Sequence, residues 1–158
     1  DIRTDTRIEL GGTSLSICEV PGHTPGSVVV LDERSNRLFT GDAIGSGYGV
    51  WMQTPTAVPL ETYYESLVHL LKWLVDRGGR MSFHGGHRYQ MFQSTHVPSF
   101  NPPSLGLLCD LIDLVDQIIH GKIVGRISNV DNIMELEPVL YAAYGRAEIQ
   151  YKASNIKI

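Results

Sequence analysis

The chain has 158 residues, of which 42% are hydrophobic and 19% charged, and its mean hydropathy is −0.05. This composition predicts a globular domain with a substantial core and excludes a disordered, collagen-like or disulfide-scaffold protein. Thirteen basic against seventeen acidic residues give a net charge of −4 without any Lys/Arg run. We therefore expect neither nucleic acid nor an anionic membrane surface as a partner. No apolar stretch reaches the roughly 20 residues that cross a bilayer.

The two cysteines, Cys18 and Cys109, lie far apart, each within an apolar run. We expect two buried, reduced thiols rather than a disulfide. Nothing at the start of the chain resembles a signal peptide, and we expect a cytoplasmic protein. Because the chain begins at Asp1 without an initiator methionine, we expect its N-terminus to differ from that of the gene product.

Apolar and β-branched runs separated by turn signals predict strands in the first third of the chain. Gly11-Gly12 marks a hairpin between the first two, and the third, almost wholly apolar, is typical of a strand buried on both faces. The segment Ala43–Pro59 is rich in Gly, Thr and Pro and predicts a long, functional loop. The predicted strands are Arg7–Leu10, Ser14–Val20, Ser27–Leu31 and Arg37–Thr40.

The hydrophobic period then changes to three and four residues, which predicts two amphipathic helices. The first has about 17 residues and stops at Gly78-Gly79, and the second begins after the N-cap Ser104 and stops at Gly121. Three aspartates of the second helix indicate a solvated face; they are Asp110, Asp113 and Asp116. The predicted core positions are Leu60, Tyr64, Leu67, Leu70, Leu71, Leu74 and Val75, then Leu105, Leu108, Leu111, Ile112, Val115, Ile118 and Ile119.

Shorter segments complete the pattern. Arg80–Phe83 predicts a strand, the Pro-containing segment Ser94–Pro103 a connection, and Arg146–Tyr151 a closing strand. Strands, helix, strand, helix and strand in this order are typical of a layered α/β domain. We expect one domain, or part of one, over 1–158, with the core motifs in 1–100 and a C-terminal helix and closing strand in 101–158.

Three candidate functional residues follow predicted strands. His23 lies in a loop whose two prolines and two glycines restrict the direction of an imidazole. Asp42 follows a strand and a glycine, at the rim where α/β folds place their sites, and His87 closes the loop His84-Gly85-Gly86-His87. Each alone is also an ordinary turn or surface residue. Together, two imidazoles and a carboxylate are ligands suited to zinc, iron or manganese.

Pro-Gly-His-Thr-Pro-Gly-Ser at 21–27, Leu-Phe-Thr-Gly-Asp at 38–42 and Gly-Gly-His at 85–87 resemble the metallo-β-lactamase superfamily. The resemblance covers residues 7–90 and implies an αββα sandwich with a metal centre, often of two metals, at one edge of the paired sheets. It implies His23 as a ligand of the first metal, Asp42 as the bridging carboxylate and His87 as a ligand of the second metal. His84 is the alternative to His87; otherwise it would orient a ligand.

The chain also departs from the family pattern. The family's main motif, His-x-His-x-Asp-His, is absent, since no two of the six histidines are separated by a single residue. The resemblance therefore implies the C-terminal half of a larger enzyme, whose N-terminal half and first sheet layer are missing. For the isolated chain we expect little activity, and self-association through apolar surface that a second layer would cover.

The resemblance implies a metal-dependent hydrolase, with zinc, binuclear in the whole enzyme, or with iron or manganese. A metal-activated water would attack a small-molecule ester, thioester, lactone or lactam, with Asp42 as the catalytic carboxylate that holds the metals. Some true β-lactamases of the family carry cysteine at that position, which favours thioesterases similar to glyoxalase II, lactonases and other esterases.

The sequence allows two interpretations of the residues near the substrate pocket and two classes of function. Tyr48, Trp51 and Met52 are candidates for a pocket wall; alternatively Trp51 and Met52 pack beneath the long loop. The alternative function is a metal-free binding or structural relative of the same fold.

Overall fold

A computed structural model describes residues 2–45, 49–87, 102–128 and 137–157. These residues form two β-sheets and two long helices, which confirms the α/β class. Neither helix is long and apolar enough to cross a membrane. The elements are β1 (Arg7–Glu9), β2 (Ser14–Glu19), β3 (Val28–Asp32), β4 (Arg37–Gly41), β5 (Val50–Trp51), α1 (Leu60–Asp76), β6 (Ser82–Gly85), α2 (Leu105–Ile119), β7 (Arg126–Ile127), β8 (Leu140–Tyr144), β9 (Ala147–Tyr151) and a short 3-10 helix, Ala153–Asn155.

The first sheet has the strand order β1-β2-β3-β4-β6. The predicted hairpin is confirmed: β1 and β2 pair antiparallel with Ile8 opposite Leu15, and Gly11 supplies the left-handed turn with a φ of 76°. β4 and β6 pair in parallel, with Leu38 opposite Phe83. The carboxyl ends of these two strands therefore meet at one edge of the sheet.

The third strand is buried on one face only, and the prediction of burial on both faces is wrong. Val29 and Leu31 are buried and belong to the core that includes α1. Val28 and Val30 point to the other face and are half-buried. Phe39, opposite Val30 on that face, is 45% exposed. A β-branched run does not reveal which of its faces another layer covers.

Helix α1 has its predicted length, 17 residues, but its core face differs from the predicted one. Tyr63 and Trp73 are buried, whereas Tyr64 is half-buried and Val75 is 57% exposed. The buried positions 60, 63, 67, 70 and 74 recur every three or four residues, so Val75 lies off the stripe. A residue outside the helix also holds Trp73: its indole N–H donates to Asp5 Oδ1 at 2.9 Å.

Helix α2 begins at its predicted cap, since the Ser104 hydroxyl accepts a hydrogen bond from Leu107 N at 3.1 Å. Its core face includes Leu107 and Leu114, which were not predicted, whereas half-buried Leu105, Ile112 and Ile119 pack at its margin.

Asp110 corrects the prediction of a wholly solvated acidic face on α2. Its carboxylate accepts from the backbone N–H of Arg146 at 2.8 Å and from the guanidinium at 3.1 Å. Its side chain is only 21% exposed. The aspartate therefore anchors the turn between β8 and β9.

Both cysteines are free, as predicted. Cys18 is buried in the core, where burial raises the pKa of its thiol to about 11. Cys109 is exposed on α2, so its predicted burial is wrong. It lies within an apolar run, but the helix turns it away from the stripe that the neighbouring Leu107, Leu108 and Leu111 form.

The second sheet has the strand order β5-β9-β8-β7, and only its closing strand β9 was predicted. β5 lies inside the predicted loop Ala43–Pro59 and pairs in parallel with β9, with Val50 opposite Ile149. A strand of two residues is too short to produce a periodic signal. Most of the predicted connection Ser94–Pro103 lies outside the described residues.

Candidate metal centre

Asp42 and His87 meet where the parallel strands β4 and β6 end. His87 Nε2 lies 3.1 Å from Asp42 Oδ1. Gly86 N donates to Gly41 O at 3.3 Å, which joins the two loops directly. The two residues are 45 positions apart in sequence, and the pairing of β4 with β6 brings them together.

Glycine at position 86 favours this approach. A Cβ atom there would lie 3.1 Å from Gly41 Cα, 3.3 Å from Gly41 C and 3.5 Å from Asp42 Oδ1. The first two contacts are with backbone, which cannot rotate away as the end of a side chain does. Gly41 itself has a φ of 51°, in the left-handed region that favours glycine.

The Asp42 carboxylate has the features of a cation ligand. Its side chain is 33% exposed, yet Oδ1 is buried and accepts no hydrogen bond from the part of the chain that the structure describes. A buried carboxylate oxygen without a partner is unfavourable unless a cation or donor compensates it. His87 Nε2, on a side chain that is 51% exposed, faces this oxygen. A carboxylate oxygen and an imidazole nitrogen fit zinc, iron or manganese, and supply two of the four ligands that zinc usually takes.

His23 is held in one tautomer by the second sheet. Its Nδ1 lies 2.7 Å from Trp51 O. A carbonyl oxygen only accepts, so Nδ1 carries the proton and donates it. In the neutral ring, Nε2 then has its lone pair available to a metal. The backbone of the same residue is also fixed, because Thr54 Oγ1 donates to His23 O at 3.4 Å.

Tyr63 joins the His23 loop to the Asp42 turn, and sequence reasoning missed it. A Cβ atom at Gly22 would lie 2.3 Å from Tyr63 Cδ2, so the ring packs directly on that glycine. The hydroxyl donates to Ala43 O at 2.6 Å. Burial raises the pKa of Tyr63, which keeps the hydroxyl protonated. The available signal was its position three residues after Leu60 and four before Leu67, which places it on the same face of α1 as these two core residues.

The structure does not bring all three predicted ligands to one point. Within residues 2–45, 49–87, 102–128 and 137–157, no group of three or more His, Cys, Asp and Glu residues could hold one ion. Asp42 and His87 form a pair, and His23 lies on the neighbouring loop. The alternative ligand His84 lies on β6, where its ring is 5.4 Å from that of Phe39 and its Nε2 is 3.2 Å from Ser82 Oγ.

The predicted wall of the substrate pocket has three different outcomes. Met52 is fully buried in the core, so its interpretation as a wall residue is wrong and the packing alternative is confirmed. Trp51 lies in β5 and is half-buried. Its Nε1 is buried and makes no hydrogen bond within the described ranges. Tyr48 lies outside the described residues.

Solved structures with a similar fold belong to larger proteins. A metallo-beta-lactamase from Pontibacter korlensis is similar with a TM-score of 0.50 and 21% identity, over 73% of this chain and 47% of that one. ETHE1 from Myxococcus xanthus gives a TM-score of 0.46 and 21% identity, over 71% of this chain and 50% of the other. An archaeal metallo-beta-lactamase superfamily protein from Sulfolobus tokodaii gives a TM-score of 0.44 and 16% identity, over 84% of this chain and 44% of the other. The chain thus spans about half the length of these proteins.

No curated protein sequence matches the chain significantly. The family model of the metallo-beta-lactamase superfamily matches residues 1–88. That is 88 of the 158 residues, and the match includes His23, Asp42 and His87. The chain belongs to the metallo-beta-lactamase superfamily.

Proposed function

We propose that this chain provides part of the metal centre of a hydrolase that cleaves a small-molecule ester, thioester, lactone or lactam. Family membership supports hydrolase-type activity, and the proposed ligands are His23, Asp42 and His87. Because the chain spans about half the length of the solved structures it matches, the activity is proposed for the protein that carries it.

One observation supports the metal site above all. Asp42 Oδ1 is buried and accepts no hydrogen bond from the described residues, and His87 Nε2 lies 3.1 Å from it, at ion-pair distance. The nitrogen and oxygen donors favour zinc, with iron or manganese as alternatives. When bound, such an ion supplies Lewis acidity, which polarises a scissile carbonyl and allows water to react near neutral pH.

The residues of the chain would hold and orient this centre. Asp42 contributes the negative charge, and Gly86 lets the turn that carries Asp42 approach the loop that carries His87. The Trp51 carbonyl fixes the direction and tautomer of the His23 ring, because it accepts the Nδ1 proton. Such outer partners of a ligand raise its basicity and its affinity for the metal.

Replacing His23 tests the proposal. In the protein that carries this chain, His23→Ala should lower both the bound zinc, measured by elemental analysis, and kcat/KM for ester and thioester substrates, each by at least about tenfold. His69→Ala is the matched control, because His69 is exposed on α1. Wild-type metal content and turnover in His23→Ala would contradict the assignment.

One observation favours a second candidate, a metal-free binding relative of the same fold. No three ligand-type residues converge among those the structure describes. Elemental analysis of the wild-type protein separates the two functions, since stoichiometric transition metal is expected only of the hydrolase.

A further inference from the structure

We infer that Tyr63 is a positioning residue that couples the His23 loop to the Asp42 turn and thereby sets the affinity of the metal centre. This inference rests on the proposed function, because it concerns the same site. The two loops follow different strands, β2 and β4, and Tyr63 contacts both of them from α1.

The ring of Tyr63 fixes the start of the His23 loop. It packs on Gly22, at a position where any β-carbon would lie 2.3 Å from Cδ2 and 2.5 Å from Cε2. The same stretch of backbone is tied down by Val58 N, which donates to Gly22 O at 3.0 Å. Tyr63 is fully buried, and the dense packing typical of a protein core holds its ring in place.

The hydroxyl of Tyr63 fixes the peptide group that follows Ala43, the residue directly after Asp42. It donates to Ala43 O at 2.6 Å, and Ala43 is only 1% exposed. Ala43 N donates to Thr40 O at 3.1 Å, which closes the turn around Asp42. Without the hydroxyl, the buried carbonyl of Ala43 would lose this donor and the turn would lose its contact with α1.

The two contacts of Tyr63 can be separated by one substitution. Tyr63→Phe keeps the ring on Gly22 and removes only the bond to Ala43 O. The variant should therefore loosen the Asp42 side of the site and leave the His23 side in place. A residue that acted only on global stability would not affect one ligand selectively.

The test is zinc affinity, measured by chelator competition on the protein that carries this chain. Tyr63→Phe should bind zinc about 10–100-fold more weakly than the wild type. Tyr64→Phe is the matched control: it removes a hydroxyl from the next, half-buried position of α1 and should leave the affinity within about twofold. Circular dichroism sets a temperature at which every variant is folded.

A double-mutant cycle distinguishes positioning from general destabilisation. Added to Asp42→Asn, Tyr63→Phe should cause little further loss of zinc affinity. Added to His23→Ala, it should lower the zinc affinity by the same factor as in the wild type. Unchanged zinc affinity in Tyr63→Phe, or an equal further loss in both backgrounds, would overturn the inference about Tyr63 but leave the proposed function standing. A wild-type protein that binds no zinc, iron or manganese would overturn the proposed function as well.

Discussion

Gly22→Ala offers a direct test of how the His23 loop is packed. The added methyl group would lie 2.3 Å from Tyr63 Cδ2 and 2.5 Å from Cε2. Carbon atoms in good contact are about 3.5–4.0 Å apart, so the overlap exceeds about 1 Å. The ring is fully buried and its hydroxyl is bonded to Ala43 O. Either the ring or the backbone of the loop must therefore move.

The cost follows from these two contacts. Overpacking of a dense core costs about 1–3 kcal/mol. If the ring moves, the buried carbonyl of Ala43 also loses its donor, at about 1–3 kcal/mol. We expect the free energy of unfolding to fall by about 1–3 kcal/mol if the backbone moves and by about 2–6 kcal/mol if the ring moves, out of the roughly 5–15 kcal/mol typical of a domain. At about 2–4 °C per kcal/mol, the thermal midpoint should fall by at least about 2 °C.

Gly26→Ala, in the same loop, is the control. A Cβ atom at Gly26 meets nothing within 4 Å. That variant should be neutral or slightly stabilising, by up to about 1 kcal/mol, because alanine restricts the unfolded chain. Both variants are compared with wild type by urea and thermal denaturation. Equal stability of Gly22→Ala and Gly26→Ala would refute the described packing of Tyr63 on Gly22.

Two further predictions concern local hydrogen bonds. Ser104→Ala removes the acceptor of Leu107 N and should lower the free energy of unfolding by about 1 kcal/mol in urea denaturation; an unchanged midpoint would contradict the role of Ser104 as the cap. At Asp32, hydrogen bonds from Ser35 and then Thr13 hold the pKa down at about 2, below its usual 3.8. A lowered carboxyl pKa contributes stability that is fully present above pH 3.8 and lost as the pH falls through about 2. Asp32→Asn should therefore lower the thermal midpoint at pH 7, and this difference should shrink between pH 4 and pH 2; a difference independent of pH would be the contrary result.

The candidate ligands could be predicted because each lies in a glycine-rich loop directly after a strand. The loops that carry His23, Asp42 and His87 are recognisable from a few adjacent residues. The contact between Asp42 and His87 depends instead on the parallel pairing of β4 with β6. A periodic pattern identifies each strand but does not specify its neighbour, so only the structure gives that distance.

Other features escaped prediction because tertiary packing decides them. Tyr63 and Tyr64 are adjacent and chemically identical, and the exact phase of α1 against the sheet buries the first and half-exposes the second. Cys109 lies in an apolar run but faces solvent. β5 is a strand only because β9 pairs with it. In each case, a neighbouring element outside the local sequence determines the outcome.

Because the pairing of β4 with β6 brings Asp42 and His87 together, the candidate metal centre forms only in the folded chain. Asp42 and His87 approach only after α1 has carried the chain back to the sheet, so the unfolded chain offers no preformed site. An ion that binds only the folded chain would stabilise it by about 2.7 kcal/mol at a free concentration of 100 Kd. Chelation would then lower the unfolding temperature of the whole domain, and metal supply would determine how much of the protein persists folded in the cell.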